Sequence, residues 1–189
     1  PLGQACGWRN FKGVNLHHGA CGPCFKDNVQ LVDWVNQQPL ALPLLGLGDD
    51  HNVIWNMFGR IDSVAERLVI LYWYHLVENL GKVGGSQRRL DAVEAKLWQG
   101  DVNGAVRLFD DWQHERVERF IGYLAKHRHR IVNYSYYQAE GISIGSGEME
   151  STIKQIGRRV KISGAQWNQH NVQQVLLHRC AYLNGAFST

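Results

Sequence analysis

Leu44-Leu45-Gly46-Leu47-Gly48-Asp49-Asp50-His51 is the stretch on which the fold turns. Leu44 to Leu47 is a short apolar run closed by acids, the pattern of a buried central strand that ends at Asp49. Upstream, Asp27 to Gln37 carries Val29, Leu31, Val32 and Val35 at helical spacing, and Pro39 and Pro43 stop it. Downstream, a helix is expected over Val53 to Ile61. A second buried strand is expected over Arg67-Leu-Val-Ile-Leu-Tyr-Trp-Tyr-His75, which is rich in branched and aromatic residues. Residues 8–18 read as a further strand and 19–24 as a Gly/Cys/Pro turn. Strand and helix alternate through the first third, which favours an α/β sheet.

Beyond residue 76 the pattern changes to helices. Leu90, Val93 and Leu97 repeat at helical spacing, Gly100 interrupts, and Asp101 is placed to cap the next helix. Val106, Phe109 and Trp112, then Val117, Phe120, Ile121, Leu124 and Ile131, continue as apolar stripes. Near the end, Met149, Ile153, Ile156 and Val160 make one apolar face, and Val172, Val175, Leu176 and Leu183 make another.

The chain has 189 residues, 44% hydrophobic and 20% charged, enough for one domain with a real core. No apolar run reaches membrane-spanning length, and no charged start leads into an apolar stretch as in a signal peptide. The chain opens on Pro1 rather than Met and is expected to be a piece of a longer protein. The net charge of +3 is mild. Basic residues gather late, at Arg116, Arg119, Lys126, Arg128 and Arg130 and again over 154–161, so any steering of nucleic acid would come from local patches. Cys6, Cys21, Cys24 and Cys180 do not space as a secreted disulfide framework, which points to a reducing, cytoplasmic setting.

Gly145-Ser-Gly-Glu-Met-Glu-Ser151 places Glu148 and Glu150 at a helix start, ahead of Lys154, Arg158, Arg159 and Lys161. Two residues on a helix differ by about 200°, so Glu148 and Glu150 point to opposite sides. Glu150, Lys154 and Arg158 share one stripe. Either they form ordinary ion pairs one turn apart, or a metal-binding carboxylate is followed by a rail for phosphates. Asp49 is similarly two-sided. Open α/β sheets place their chemistry at strand C-terminal ends, yet Asp49 or Asp50 equally serves as a cap for the following helix. His75 beside aromatics is usually a satisfied core histidine, and Trp73 and Tyr74 are expected to pack. Cys21-Gly-Pro-Cys24 has the sequence of a thioredoxin redox loop, but Ala20 stands where a Trp is usual. With His17 and His18 nearby, zinc is a further reading, and a turn bearing two small thiols is the simplest.

Taken together, the segments resemble a bacterial insertion-sequence transposase of the DDE type, of the ISKra group. The residues that carry the resemblance span nearly the whole chain. They are Phe25-Lys-Asp-Asn28, Trp34-Val-Asn-Gln-Gln38, Leu47-Gly-Asp49, Ile54-Trp-Asn56, Trp73-Tyr-His-Leu-Val-Glu-Asn-Leu80 and Lys82-Val-Gly-Gly85. They continue with Trp98-Gln-Gly-Asp101, Lys126-His-Arg-His-Arg-Ile-Val-Asn-Tyr134, Gln138-Ala-Glu-Gly141, Gly145-Ser-Gly147 with Glu150-Ser151, and Ile162-Ser-Gly-Ala-Gln-Trp-Asn168.

The resemblance implies a mixed α/β fold. An incomplete ribonuclease-H-like sheet would occupy 1–80, an all-helical insertion 81–140, and the last catalytic helix with its successor 141–189. It implies metal-dependent DNA strand cleavage and strand transfer with two Mg²⁺ (or Mn²⁺) ions. Asp49 and Glu150 match the second and third carboxylates of the triad, and the first would lie on a strand preceding residue 1. His75 is implied as a catalytic-site or DNA-positioning group. Lys154, Arg158, Arg159 and Lys161, with Arg128 and Arg130, are implied as DNA contacts. The implied partners are element-end and target DNA and, since such enzymes act as multimers, further copies of the chain, in a bacterial cytoplasm. The chain departs from the family pattern in three places. Asp50 stands for a Gly, Glu148 for a small residue, and Tyr72 for the Asp that usually accompanies the His. Because losing one carboxylate of the triad should cripple both metals, the fragment alone is expected to have little or no transfer activity.

Overall fold

The computed structural model describes residues 11–16, 20–62 and 66–187. The chain is mixed α/β with two small sheets, and it divides into two compact units. One unit comprises residues 1–40, 59–62 and 147–189; the other comprises 41–58 and 63–146. Both interleave in sequence, so neither follows the order of the chain.

In the first unit, β1 (Lys12–Asn15) and β2 (Cys21–Cys24) pair antiparallel, with Lys12 opposite Cys24 and Asn15 opposite Cys21. The expected turn over 19–24 is therefore a strand from Cys21 onward. Residues 8–10 and 17–19, expected to belong to the first strand and this turn, lie outside the described residues. Packing overrides the turn signal: α1 (Asn28–Asn36) sets Trp34 directly on Gly22, where an added Cβ would stand 2.4 Å from the indole. Pro23 has no N–H for a ladder, which suits a strand with one partner among the described residues. Asp27 caps α1, accepting from the N–H groups of Val29 and Gln30 at 3.0 Å each. The buried stripe of α1 is Leu31, Val32 and Val35, while Val29 lies 48% exposed rather than on that face.

Two helices close this unit. α8 and α9, named for their place in the chain, span Gly147–Val160 and Gln169–Leu183. Ile156 of α8 and Leu176 of α9 are fully buried with Cys21, Phe25 and Cys180. Met149 and Ile153 cover Gly13, where a Cβ would meet the Ile153 Cδ1 at 3.0 Å. The Phe25 N–H donates to Gln173 Oε1 at 2.7 Å, which fixes α9 over the end of β2.

In the second unit, β3 (Leu44–Gly48) pairs parallel with β4 (Arg67–Leu71), Leu44 opposite Arg67 and Gly48 opposite Leu71. Among the described residues β4 is its one partner, where a central strand was expected. α2 (Asn52–Phe58) folds back on β3, and Gly46 makes room for it: a Cβ there would lie 1.9 Å from the Phe58 ring.

The strand expected over 67–75 ends early. The Tyr72 N–H still donates to Gly48 O at 2.9 Å, but the Trp73 N–H turns to Ile144 O at 3.0 Å, and α3 (Trp73–Gly81) begins. Trp73, Leu76 and Leu80 are buried at helical spacing, a period that the strand-like composition of Tyr72-Trp-Tyr74 obscures. His75 thus sits in the first turn of a helix, not at a strand end. Trp73 is buried as expected, whereas Tyr74 is 67% exposed.

Residues 81–140 are helical throughout their regular structure: α4 (Gln87–Trp98), α5 (Val102–Arg107), α6 (Glu115–His127), a 3-10 turn (Arg128–Arg130) and α7 (Tyr134–Ala139). Asp101 caps α5 as expected, accepting from the Gly104 N–H at 2.8 Å. The core centres on Tyr134, which is fully buried and donates its hydroxyl to Leu71 O at 2.9 Å. Its ring lies 4.9 Å from that of Trp73, which in turn meets Trp98 edge-on at 4.7 Å. This one cluster ties the end of β4 to α3, α4 and α7. Among the described residues no helix is long and apolar enough to cross a membrane.

Candidate functional site

Parallel pairing decides which of the predicted residues meet. β3 and β4 end side by side at Gly48 and Leu71, so the segments leaving them leave on the same side. One carries Asp49 and Asp50; the other turns through Tyr72 into α3 and carries His75. Asp50 Oδ1 and His75 Nε2 stand 3.8 Å apart, with the two side chains 35% and 40% exposed. Asp50, carried on the segment that leaves the neighbouring strand, is the acid that faces His75.

Asp49 is oriented differently. Its Oδ1 accepts from the His51 N–H at 2.9 Å, an Asx turn leading into α2. The capping role and the ligand role are therefore compatible only in part, because one carboxylate oxygen is engaged.

Helix α6 supplies residues that the sequence did not single out. Burial and the negative field of Asp50 and Asp49 hold the Tyr123 hydroxyl proton on, raising its pKa. Asn79 lies near this hydroxyl, but its amide donates to His75 O at 2.9 Å and its oxygen accepts from Lys82 Nζ at 3.1 Å, which leaves the hydroxyl without a well-formed bond. Burial first, then Lys126 and Arg130, push the pKa of His127 down to about 4, against the pull of Asp50.

His127 Nδ1 lies 3.1 Å from Arg130 Nη1. A guanidinium only donates, so Nδ1 accepts and the neutral ring carries its proton on Nε2. That Nε2, the Tyr123 hydroxyl, Arg130 Nε and Trp55 Nε1 are buried with no hydrogen-bond partner among the described residues. Three are obligate donors, so this corner holds more donors than acceptors. The Arg130 guanidinium lies 4.3 Å over the Trp55 ring. Arg130 is thus committed to packing, while Arg128, also expected to touch DNA, is exposed beside the groove formed by α5 and α6. The signal for this corner in the sequence was Tyr123 and His127 at i and i+4 on the buried face of α6, readable only once the facing acids are known.

In the first unit, Glu148 and Glu150 occupy the first turn of α8, where a positive helix end favours them. Thr152 donates its hydroxyl to Glu148 O at 2.9 Å. Glu150 Oε2 and Lys154 Nζ are 3.9 Å apart on side chains 60% and 74% exposed, a separation and exposure that contribute little to stability. Arg158, Arg159 and Lys161 are exposed at the far end of α8, and Lys161 Nζ lies 5.7 Å from the Phe11 ring centre. Cations there complement the negative helix end whatever else they bind.

Asp49 and Glu150 belong to different units. Among the described residues no group of three or more His, Cys, Asp or Glu is placed to hold a metal ion. The zinc reading needs His17 and His18, which lie outside the described residues. The Cys21–Cys24 redox pair is not supported by the geometry. Residues three apart on a strand face opposite ways, and the Cys24 thiol donates to Asp27 O. The chain matches no protein-family model, no curated protein and no solved structure.

Proposed function

We propose that this chain is part of the catalytic domain of a DDE-type insertion-sequence transposase of the ISKra group, an enzyme of DNA strand cleavage and strand transfer. The observation that carries the reading is the end of the parallel β3–β4 pair. There Asp49, Asp50 and His75 gather, at the edge where α/β sheets position chemistry. The ribonuclease-H-like sheet belongs to this proposal, as do the DNA partner and the cytoplasmic setting. Mg²⁺ or Mn²⁺, when bound, would supply Lewis-acid stabilisation of charge at the scissile phosphate. Asp49, one of whose carboxylate oxygens is already engaged with the His51 N–H, would offer it a ligand at the strand end; Glu150, which the resemblance also matches to a metal-binding carboxylate, lies in the other unit. The chain's own residues would align a DNA strand: Asp50 orients His75 toward it, and Lys154, Arg158, Arg159 and Lys161 hold phosphates.

The test is a DNA-nicking assay with Mg²⁺ or Mn²⁺. The isolated chain is expected to be inert. A longer chain that restores an upstream strand bearing an Asp is expected to cleave, and to lose cleavage with Asp49→Asn or Glu150→Gln. Robust cleavage by the isolated chain, or a restored chain indifferent to both substitutions, would overturn the reading. The exposed basic end of α8 favours a second reading, DNA binding without chemistry. Its mark is salt-sensitive duplex binding in a longer chain that never cleaves.

A further inference from the structure

Cys21 shares its buried cluster with Cys180, not with Cys24 of the same Cys-Gly-Pro-Cys motif. Cys21 and Cys180 are both 2% exposed and belong to one buried cluster with Phe25, Ile156 and Leu176. Asn184 holds them together. The Cys21 N–H donates to Asn184 Oδ1 at 2.8 Å, and Asn184 Nδ2 donates to Cys21 O at 3.0 Å. The Asn184 N–H donates in turn to Cys180 O at 2.8 Å. One side chain thus clamps the Cys21 backbone beneath the last turn of α9, where Cys180 sits. Cys24 faces away and is tied to Asp27.

We propose that Cys21 and Cys180 form a reversible dithiol–disulfide pair that ties β2 to α9. The local chemistry supports Cys21 as the attacking sulfur. The neighbouring Cys180 thiol stabilises its thiolate against the opposing effect of burial, and the Arg179 cation adds a smaller pull, so its pKa is lowered. That of Cys180 is raised, by Cys21 first and then by burial. Cys21 also lines a cavity of about 510 Å³ together with Asn15, Glu148, Ser151, Thr152 and Gln155.

The oxidant is a small peroxide. The Cys21 thiolate attacks one peroxide oxygen, the O–O bond breaks, and hydroxide leaves to take up a proton as water. Cys21 is then a sulfenic acid. The Cys180 sulfur attacks the Cys21 sulfur, the S–O bond breaks, and the departing oxygen leaves as water with the Cys180 proton. Two thiols and one hydrogen peroxide become one disulfide and two waters. A small dithiol reverses the step. Because Ile156 of α8 packs in the same cluster, the bond would brace the frame that carries Glu148 and Glu150.

The experiment treats the folded chain with hydrogen peroxide, blocks the remaining thiols and maps the peptides by mass spectrometry. The expected product is a peptide pair joined through Cys21 and Cys180, formed equally in Cys24→Ser and reversed by dithiothreitol. Cys180→Ser is expected to leave Cys21 as a sulfenic acid that dimedone traps. A map joining Cys21 to Cys24 or Cys6, or two thiols left unoxidised while the folded chain is exposed to peroxide, overturns the proposal. The wild-type map decides even if Cys180→Ser does not fold.

Discussion

The two acidic sites of this chain are built in opposite ways. In the second unit, Asp49, Asp50 and His75 stand beyond the ends of half-buried strands and on a helix whose other face holds Trp73 and Leu76 in the core. Their positions follow from packing, and changing the core should move them. In the first unit, Glu150 and its cations project from an exposed helical stripe, on a helix whose other face packs through Ile156. A buried frame fixes geometry; an exposed stripe supplies charge that water and salt can screen.

The contrast is most exposed to failure at Trp73. Trp73→Ala removes the ring between Tyr134 and Trp98 and should cost about 3–5 kcal/mol, read as a lower urea midpoint. A loss below about 1 kcal/mol would mean that the frame behind His75 is not packed as described.

His127 offers a pH-dependent version. Burial lowers its folded-state pKa from 6.5 to about 4, so as pH falls the unfolded chain takes up this proton first. The stability from keeping His127 neutral is whole above about pH 6.5 and is lost progressively toward pH 4. It amounts to no more than about 3 kcal/mol. His127→Gln should flatten the fall in stability across that window relative to the parent chain, measured as urea midpoints at stepped pH. Parallel pH profiles for the two would place His127 outside the buried corner.

The smallest effects separate the carboxylates. Asp49→Ala loses the Asx turn to His51 and should cost about 1 kcal/mol, by analogy with a lost helix cap. Glu150→Gln weakens its exposed pair with Lys154 and should change stability by less than about 0.5 kcal/mol. Equal costs, measured by thermal unfolding, would erase the distinction between a site set in the frame and one resting on its surface.

Much of the frame was legible in the sequence because it is local. Asp101 caps a helix as its position suggested, and the apolar faces of α6, α8 and α9 follow from a 3.6-residue period. The all-helical stretch over 81–140 was visible for the same reason. The misreadings fall where local preference and tertiary packing disagree. Tyr72-Trp-Tyr74 has the composition of a strand, but Trp73, Leu76 and Leu80 bury together only on a helix. Cys21-Gly-Pro-Cys24 has the composition of a turn, but Trp34 pressing on Gly22 and the pairing with β1 make it a strand.

What the sequence determined by itself was the set of elements with strong periodicity, and the candidates Asp49, His75 and Glu150. What the tertiary structure decided was which side chains meet. Parallel pairing of β3 and β4 brings Asp50, not Asp49, to His75, and sets α6 with Tyr123 and His127 within their field. Asn184 brings Cys21 to Cys180 across most of the chain, while Cys24, three residues away, faces elsewhere. The physical reason is the same in both cases. Periodicity reports the face a residue shows, which is a local property. The partner on that face is chosen by strand pairing and core packing between segments distant in the chain.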